Sequence, residues 1–266
     1  MDGLVLVDKP AGRTSFSVTS EVKRALGLKK AGHAGTLDPF ATGLLLVLVG
    51  RGRRIQGHLT GLSKTYRTVA RLGALSSTGD PEGEITETGR IPPAGAVLPT
   101  GRLVQVPPAY SAVRVGGRKA YELAREGVAF EVPAREVVVH RFEELWREGD
   151  RAAFEIECSS GTYVRSLITE LGDAYCVELR RLSVGPWHVD DADPQRVLPL
   201  EEALSFLPHL LLDEDRARRA GWGQLVEGEA PEGAELVLLR DERGAVCLAE
   251  PREAGVLKPV VGFRGQ

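Results

Sequence analysis

The stretch that decides the fold is GHAGTLDPFATGLLLVLVG, residues 32–50. Its second half, residues 44–49, is an uninterrupted apolar run, which is typical of a strand buried on both faces. Its first half is rich in glycine and holds one histidine, His33, and one acid, Asp38. Because Pro39 disfavours the helical conformation at the residue before it, Asp38 is predicted to lie in a turn or in extended chain. The stretch therefore predicts a polar loop that leads directly into a sheet.

Asp38 has two interpretations at this point. Aspartate in a turn commonly hydrogen-bonds to its own backbone, which would make it a structural residue. A single carboxylate next to an apolar strand also suits nucleophilic catalysis. A phosphate-binding loop is excluded, because no Lys-Ser or Lys-Thr follows the glycines. A metal site at His33 is not expected, because no second histidine or cysteine pair lies near it in the sequence.

The segments around this stretch predict a mixture of strands and short helices. Ser15 is predicted to cap a helix that Gly27 ends, and a second helix is predicted to begin at Thr162. After Pro208, a basic helix, glycine-rich turns and two short strands indicate a small β module. Strands are predicted at residues 3–7, 44–49, 64–73, 137–146, 152–158 and 179–189, with a polar loop at residues 76–100.

Composition is typical of a globular protein of the reducing cytoplasm. Of the 266 residues, 42% are hydrophobic and 27% are charged, which is enough for a substantial core. The first ten residues lack the pattern of a signal peptide, and no segment approaches the roughly 18 apolar residues of a membrane span. The three cysteines are odd in number and far apart, so they predict neither a disulfide framework nor a metal site. We therefore expect a cytoplasmic protein with no membrane association.

Charge is distributed unevenly along the chain. Residues 1–75 contain 12 Lys or Arg and 4 Asp or Glu, whereas residues 76–266 contain 22 and 33. A basic N-terminal third can give a nucleic-acid-binding face to a protein whose net charge is −3. The two basic clusters, KRALGLKK at residues 23–30 and RGRR at residues 51–54, are either part of such a face or ordinary solvated surface.

Three further side chains have a functional and a structural interpretation. Arg165 would lie in the first turn of its helix, where a cation costs roughly 0.3–1 kcal/mol unless an anion lies nearby. It is otherwise an ordinary solvent-facing arginine. Tyr66 and Tyr163 are either core tyrosines or surfaces on which an unstacked base rests.

The central motif GHAGTLDPFATGLL resembles that of the TruB family of tRNA pseudouridine synthases. Other segments resemble the family in the same order and span nearly all of residues 3–189: LVLVDKPAGRTS, KTYRTVARLG, VPPAYSAVRVGGRKAYELAREG, CSSGTYVRSL and LRRLSVG. The resemblance implies an α+β fold with a mixed, largely antiparallel sheet and flanking helices in a catalytic domain, residues 1–208. It also implies a small C-terminal β-barrel, a PUA-like RNA-binding module, in residues 209–266.

The resemblance implies an isomerase that converts the T-loop uridine at position 55 of tRNA to pseudouridine. The partner implied is the T-arm of tRNA, with no cofactor, no metal, no obligate protein partner and a monomeric state. The residues implied are Asp38 as nucleophile, Arg165 and Tyr66 as its catalytic partners, His33, Tyr66, Tyr163 and Leu179 as substrate contacts, Lys9 and Pro10 as support, and residues 104–132 as a mobile loop that closes over the RNA.

The resemblance also gives expectations about the chemistry at Asp38. Because this isomerisation must exclude water, no second acid is required for the chemistry, unlike in glycoside hydrolysis. Burial would raise the pKa of Asp38, and Arg165 would lower it again and keep the carboxyl ionised.

Two segments depart from the family pattern, and two alternative functions remain open. Residues 172–178 are short, which affects the placement of Leu179. Residues 76–101 are abbreviated, which we expect to alter the surface and not the chemistry. One alternative is a non-catalytic RNA-binding or RNA-folding protein of the same fold. The other is an RNA-guided synthase that acts on ribosomal RNA with protein partners, although no long basic tail typical of such enzymes is present.

Overall fold

The computed structural model describes residues 1–111 and 113–264. Most strands before residue 200 belong to one sheet that runs through the whole N-terminal part. Their bounds are β1 (Gly3–Lys9), β2 (Ala31–Ala34), β3 (Thr42–Val49), β4 (Lys64–Leu72), β5 (Ala74–Ser76), β6 (Ile85–Glu87), β7 (Gly101–Gln105), β8 (Arg114–Val115), β9 (Arg118–Lys119), β10 (Arg135–Glu148), β11 (Arg151–Cys158), β12 (Ala174–Val184), β13 (Trp187–His188) and β14 (Leu198–Pro199).

The large sheet has ten strands among the described residues, in the order β14-β1-β3-β12-β4-β11-β10-β7. β2 pairs with β3, β13 pairs with β12, and the hairpins β5–β6 and β8–β9 lie outside the sheet. The β3–β12 contact is parallel, whereas the other pairings are antiparallel. The predicted mixed, largely antiparallel sheet is therefore confirmed.

The parallel contact depends on a glycine at the start of β3. Gly43 has φ +101° and lies so close to β12 that a Cβ atom would be 2.2 Å from the carbonyl oxygen of Arg181. A side chain there would clash with the β12 backbone, and L-residues rarely adopt this φ. The close approach places the loop before β3 next to the middle of β12, which also pairs with β4.

β3 is buried on both faces, as predicted from its apolar run. Leu44, Leu46 and Leu48 pack into one hydrophobic cluster, whereas Leu45 and Val47 pack against helix α1 (Ser15–Ala25) on the other side. The five side chains are fully buried. The end of β3 that follows the loop is therefore rigidly held by the core.

The helices are short and lie beside the sheet. The predicted cap Ser15 is wrong, because Thr14 Oγ1 accepts the hydrogen bond from Ser17 N, at 3.1 Å. No helix in the described part of the chain is both long and apolar enough to span a membrane. The other α-helices are α2 (Gln56–Thr60), α3 (Ala120–Arg125), α4 (Val164–Thr169), α5 (Leu200–Ala203) and α6 (Glu214–Gly221), and short 3-10 turns cover Gly50–Ile55, Val189–Asp191 and Glu253–Gly255.

Two predicted boundaries near α4 are also wrong. Thr162 does not begin the helix, since its hydroxyl donates to Ser159 O at 3.0 Å and Tyr163 occupies the cap position. The strand predicted at residues 179–189 begins five residues earlier, because α4 is short and residues 174–178 pair with β4. It also ends earlier, at Val184, where Gly185 with φ +53° turns the chain into β13.

The C-terminal residues form a second, curled sheet of five strands: β15 (His209–Leu211), β16 (Val226–Glu227), β17 (Val237–Asp241), β18 (Gly244–Arg252) and β19 (Val256–Gly262). Their order in the sheet is β15-β17-β18-β19-β16. Leu238 and Leu248 of this sheet, with Phe263 directly after β19, share a hydrophobic cluster with Leu4 and Leu204 of the N-terminal part. The two sheets are therefore packed through a common core.

Candidate active site

The loop between β2 and β3, residues 35–41, carries Asp38 and is called the Asp38 loop below. Side chains from two different elements fix its backbone. Ser15 Oγ donates to Leu37 O at 3.0 Å and accepts from Leu37 N at 2.9 Å. Lys9 Nζ donates to Pro39 O at 3.2 Å. Because the residues on both sides of Asp38 are bonded, its carboxylate is held in a defined position.

Lys9 and Pro10 lie behind the Asp38 loop and do not line the pocket in front of it. The Lys9 side chain is fully buried, and its ammonium also donates to Pro10 O at 2.9 Å and Arg13 O at 2.6 Å. Burial lowers the pKa of Lys9 to about 8, against the opposing charge of Asp38. Lys9 therefore bonds the Asp38 loop directly, whereas Pro10 is joined to it through the Lys9 ammonium. The supporting role of this pair stays a prediction.

Arg181 connects the Asp38 loop to two strands. It is 1% exposed, and its guanidinium donates to Leu44 O at 2.7 Å and to Gly35 O at 2.9 Å.

Arg181 also affects Tyr66. Burial raises the pKa of the Tyr66 phenol, and the neighbouring Arg181 charge opposes that rise. Sequence reasoning did not identify Arg181 as part of the site, although a second arginine in the LRRL motif was visible.

Asp38 forms an ion pair with Arg165 from the first turn of α4. The Asp38 Oδ2 atom lies 3.0 Å from Arg165 Nε, and the Arg165 side chain is 3% exposed. Further bonds run from Arg165 to Asp80 Oδ2 at 2.9 Å, to Thr78 O at 2.7 Å and to Tyr110 O at 2.9 Å. Arg165 is therefore buried and fixed from four directions, and the interpretation as a solvent-facing arginine is wrong.

Asp80 corrects one expectation from the sequence. It is a second carboxylate, 5% exposed, that shares Arg165 with Asp38. It comes from the segment 76–101, which was expected to affect only the surface. Thr78 Oγ1 donates to Asp80 Oδ1 at 2.5 Å, and Glu82 N donates to the same oxygen at 3.0 Å. The tight turn TGD at residues 78–80 was the available signal, but a turn aspartate is too common to be distinctive.

Asp38 lies at the edge of a small pocket whose other walls combine apolar, aromatic and polar side chains. Tyr66 from β4, Leu179 from β12 and Tyr163 next to α4 line this pocket together with Asp38 and Arg165. Tyr66 is 9% exposed and Leu179 is 7% exposed. The short segment 172–178 therefore still allows Leu179 to reach the pocket.

Tyr163 is held by a residue that the sequence did not indicate. Gln105, 1% exposed at the end of β7, accepts from Tyr163 N at 2.7 Å and donates to Tyr163 O at 3.1 Å. The Arg135 guanidinium lies 4.8 Å from the centroid of the Tyr163 ring, within range of a cation–π interaction. Both contacts fix the ring at the pocket wall.

The Asp38 carboxyl has a raised pKa. Desolvation raises it most, Arg165 lowers it, and the charge of Asp80 raises it. The side chain is still 32% exposed on the pocket side, so a substrate can reach it. The expected opposition of burial and Arg165 is present, and the net direction is upward.

His33 lies apart from this pocket, in a neighbouring depression. Its Nδ1 atom is 3.2 Å from Thr19 Oγ1, and its Nε2 atom is 3.3 Å from Thr36 Oγ1. Because the Thr19 hydroxyl proton is donated to Ser15 O at 2.7 Å, Nδ1 of His33 must donate and Nε2 must accept. Burial lowers the His33 pKa, which favours this neutral tautomer.

The segment expected to close over RNA, residues 104–132, begins at the pocket. It contains the end of β7, the β8–β9 hairpin and α3, and Tyr110 O accepts the bond from Arg165. Ala112, within this segment, lies outside the described residues. Closure over RNA stays a prediction.

The arrangement suits covalent catalysis at a single carboxylate. A carboxylate, an oriented cation and two aromatic side chains surround one small space, and within the described part of the chain Arg165 contacts only the Oδ2 oxygen of Asp38. Among the described residues, no group of three or more His, Cys, Asp or Glu side chains could hold a metal ion.

Comparison with solved structures defines the fold. A chain of an H/ACA ribonucleoprotein bound to a substrate RNA containing 2'-deoxyuridine has a TM-score of 0.71 at 22% identity, covering 99% of this chain and 85% of that one. A chain of a Cbf5–Nop10–Gar1 complex has a TM-score of 0.70 at 23% identity, covering 99% and 84%. The fold is therefore a pseudouridine synthase fold, including the C-terminal sheet.

Sequence comparison defines the family. Residues 23–164 match the TruB family pseudouridylate synthase (N terminal domain). The tRNA pseudouridine synthase B of Thermobifida fusca is 40% identical over 99% of both chains, and that of Syntrophobacter fumaroxidans is 41% identical over 84% of this chain and 82% of its own. That of Bacillus licheniformis is 35% identical over 97% and 96%. The chain belongs to the TruB family of pseudouridylate synthases and is an isomerase.

Proposed function

We propose that the protein converts the uridine at position 55 in the T loop of tRNA to pseudouridine, with Asp38 as nucleophile on a flipped-out uridine. The observation that carries this proposal is the 3.0 Å ion pair between Asp38 and buried Arg165, beside a pocket lined by Tyr66, Tyr163 and Leu179. The identity to tRNA pseudouridine synthase B proteins over nearly the full chain supports the choice of tRNA.

The proposed reaction breaks the bond between N1 of uracil and C1′ of ribose and forms a bond between C5 and C1′. In the proposed step the Asp38 carboxylate attacks C1′ while the uracil leaves with the N1–C1′ electron pair. C5 of the turned uracil then attacks C1′, and the carboxylate leaves with the pair of its own bond. C5 loses a proton and N1 gains one, so substrate and product have the same composition. Because water could hydrolyse a covalent intermediate, the small size of the pocket and the side chains of Tyr66 and Leu179 that face it favour the isomerisation.

The other pocket residues have proposed roles that follow from their positions. Arg165 holds the Asp38 carboxylate and lowers its pKa against the effect of burial. Tyr66 packs on the target base, and Tyr163 and Leu179 make further contacts with it. His33 supports the RNA next to the flipped-out nucleotide. Extruding the base costs a few kcal/mol, which these contacts offset.

We assign the chemistry to residues 1–208 and RNA binding to the PUA-like residues 209–266 as well as to the basic N-terminal third. The second sheet begins at His209, directly after the proposed boundary. The proposed enzyme acts as a monomer, without a protein partner, on the T-arm of tRNA. Residues 104–132 close over the bound RNA.

The purified full-length protein and an unmodified T-arm transcript test this proposal. Mapping after incubation should show pseudouridine at position 55 and at no other uridine. A transcript with cytidine at position 55 is the matched control and should bind without being modified. Absence of product, or product at another position, would overturn the proposal.

The fold likeness to a chain of an H/ACA ribonucleoprotein raises the alternative of an RNA-guided enzyme. The same assay separates the two functions, because it contains no guide RNA and no other protein. Modification that requires an added guide or a partner protein would favour the alternative. A protein that remodels the transcript without modifying it would instead be an RNA-folding protein.

A further inference from the structure

Gln105 is a buried polar side chain at the end of a largely exposed strand. It is 1% exposed, whereas Val104 before it is 76% exposed, and their strand β7 lies at one edge of the large sheet. Burying a primary amide costs free energy unless its hydrogen bonds are made. Since a position at the sheet edge does not require burial, the reason for it lies in the residue that the amide reaches.

The amide of Gln105 binds both backbone groups of Tyr163. Its Oε1 atom accepts from Tyr163 N at 2.7 Å, and its Nε2 atom donates to Tyr163 O at 3.1 Å. Tyr163 is extended, with φ −99° and ψ 109°. In extended chain the N–H and C=O of one residue point to the same side, where a neighbouring strand would bind them. A primary amide carries a donor and an acceptor side by side, so the side chain of Gln105 takes the place of that strand.

The residue that faces Gln105 in the sheet holds the ring of the same tyrosine. Arg135 of β10 pairs with Gln105, and its guanidinium lies 4.8 Å from the centroid of the Tyr163 ring. Arg135 also donates to Gly161 O. Two facing residues of β7 and β10 thus hold one residue of the pocket wall, Gln105 by its backbone and Arg135 by its ring.

The cation of the site does not depend on this contact. Arg165 has its own bonds to two carboxylates and to two backbone carbonyls. Loss of the Gln105 amide would therefore release the backbone of Tyr163 and leave the ion pair of Asp38 and Arg165 in place. The two walls of the pocket are held by separate sets of bonds.

We propose that Gln105 is a positioning residue for the reaction. It does not line the pocket, but it holds Tyr163 there and thereby orients the target base against Asp38. Gln105 also belongs to the segment 104–132, so its bonds fix the root of that segment while the following residues close over the RNA. The inference rests on the proposed function for the identity of the base, and it adds to it a residue outside the pocket.

The test measures single-turnover pseudouridine formation on the T-arm transcript by full-length Gln105→Met and Gln105→Asn. Methionine keeps the volume and loses both bonds, whereas asparagine keeps the amide but is one methylene too short. At saturating transcript both variants should react about 10- to 100-fold more slowly, because a misplacement of roughly 1 Å can cost that much. Filter binding should change by less than about threefold, since phosphate contacts supply most of the affinity.

Gln195→Met is the matched control, because Gln195 is exposed and does not line the pocket. Its rate should equal that of the original protein. Thermal melting of every variant fixes a temperature at which all of them are folded, and the rates are compared there.

A double-mutant cycle identifies the route of the effect. If Gln105 acts through Tyr163, Gln105→Met should slow the Tyr163→Ala protein much less than it slows the original protein, because the ring that it positions is gone. The midpoint of the pH–rate profile should be the same with and without Gln105→Met. The ion pair with Arg165, which lowers the pKa of Asp38 against burial, is kept in that variant.

A folded Gln105 variant that reacts as fast as the original protein would overturn the proposal. So would an equal loss with and without the Tyr163 ring, a shifted pH midpoint, which would place the effect at Arg165, or failure of both variants to fold, which would make Gln105 structural. Rates are measured at whichever uridine the original protein modifies, so product at another position contradicts the proposed function and leaves this comparison intact. An original protein that modifies no uridine would overturn both.

Discussion

Arg165 in the candidate active site and the pair Arg51 and Arg54 all donate to backbone carbonyls, but they differ in burial. Arg165 is 3% exposed and shared between Asp38 and Asp80. Arg51, by contrast, is 47% exposed, and it and Arg54 donate to Phe263 O and Gly262 O of the C-terminal sheet. The buried arginine fixes a charge at one position, whereas the exposed pair bonds the 3-10 turn after β3 to the end of the C-terminal sheet.

A basic cluster in a sequence therefore has more than two possible functions. For RGRR, residues 51–54, the sequence left an RNA-binding face and solvated surface as alternatives. Contact with the C-terminal sheet is a third possible function, and it accounts for Arg51 and Arg54. Arg53 forms no side-chain hydrogen bond or ion pair with the rest of the described chain, so it alone keeps both original interpretations.

The largest expected effect is on the reaction rate, and it comes from a substitution in the buried ion pair of Asp38 and Arg165. Asp38→Asn keeps the size and polarity of the side chain but removes its charge and most of its nucleophilicity. Single-turnover pseudouridine formation on the T-arm transcript should fall by several orders of magnitude, more than the ~10²–10⁴ of a lost general acid or base. Binding of the transcript should change little.

Asp190→Asn is the matched control, since that aspartate is 85% exposed and remote from Arg165 in its contacts. Its rate should equal that of the original protein. Product from Asp38→Asn above a trace would remove Asp38 as nucleophile. A folded Asp38→Asn protein that no longer binds the transcript would make Asp38 structural.

The second effect concerns pH. Because burial raises the pKa of Asp38 above 3.8 and the carboxylate is the proposed active form, the single-turnover rate should fall as pH drops through that raised value. The fall should approach tenfold per pH unit, with a midpoint above 3.8. Asp80→Asn removes a charge that raises the pKa of Asp38, so it should move the midpoint to lower pH. An upward shift would contradict this electrostatic account.

The third expected effect is on stability, and it comes from removing the exposed side chains of Arg51 and Arg54. Arg51→Ala combined with Arg54→Ala removes two side-chain bonds between the sheets. The free energy of unfolding should fall by about 1–2 kcal/mol, measured by urea denaturation. Arg53→Ala is the control and should stay within about 0.5 kcal/mol of the original protein. Equal losses in both proteins would show that the contacts do not fasten the sheets.

The smallest effect separates RNA binding from sheet contact. If Arg53 contacts a phosphate, Arg53→Ala should weaken transcript binding and reduce the slope of log affinity against log salt by about 0.7–0.9. The measurement is filter binding at several salt concentrations. An unchanged slope would assign Arg53 to solvated surface.

The sequence predicted the fold well where local pattern and core position agree. The apolar run of β3 and the alternating residues of β4 and β11 were identified with bounds close to the observed ones. Boundaries around α4 were wrong, since apolar spacing continues beyond Thr169 although the helix ends there. Pairing with β4 decides where β12 begins, and pairing between distant strands cannot be read from a local pattern.

The sequence predicted only those site residues that lie in a recognisable motif. Asp38, Tyr66, Tyr163, Arg165 and Leu179 were named from the sequence, and the structure places them around one pocket. Asp80 and Gln105 were missed, although both are buried and bonded to the site. Their contacts join residues up to 85 positions apart, so no spacing pattern marks them.

The parallel contact at Gly43 also affects when the pocket can form during synthesis and folding of the chain. Thr42 and Arg180 on either side of it are 138 residues apart in the chain, and closing so long a segment is entropically costly. We expect this contact to form after local hairpins such as β10–β11, whose closure costs less entropy. The space beside Asp38 cannot be enclosed until the chain has been synthesised as far as β12, because Leu179 forms one of its walls. A nascent chain that ends before β12 therefore has no complete pocket in which to start the reaction.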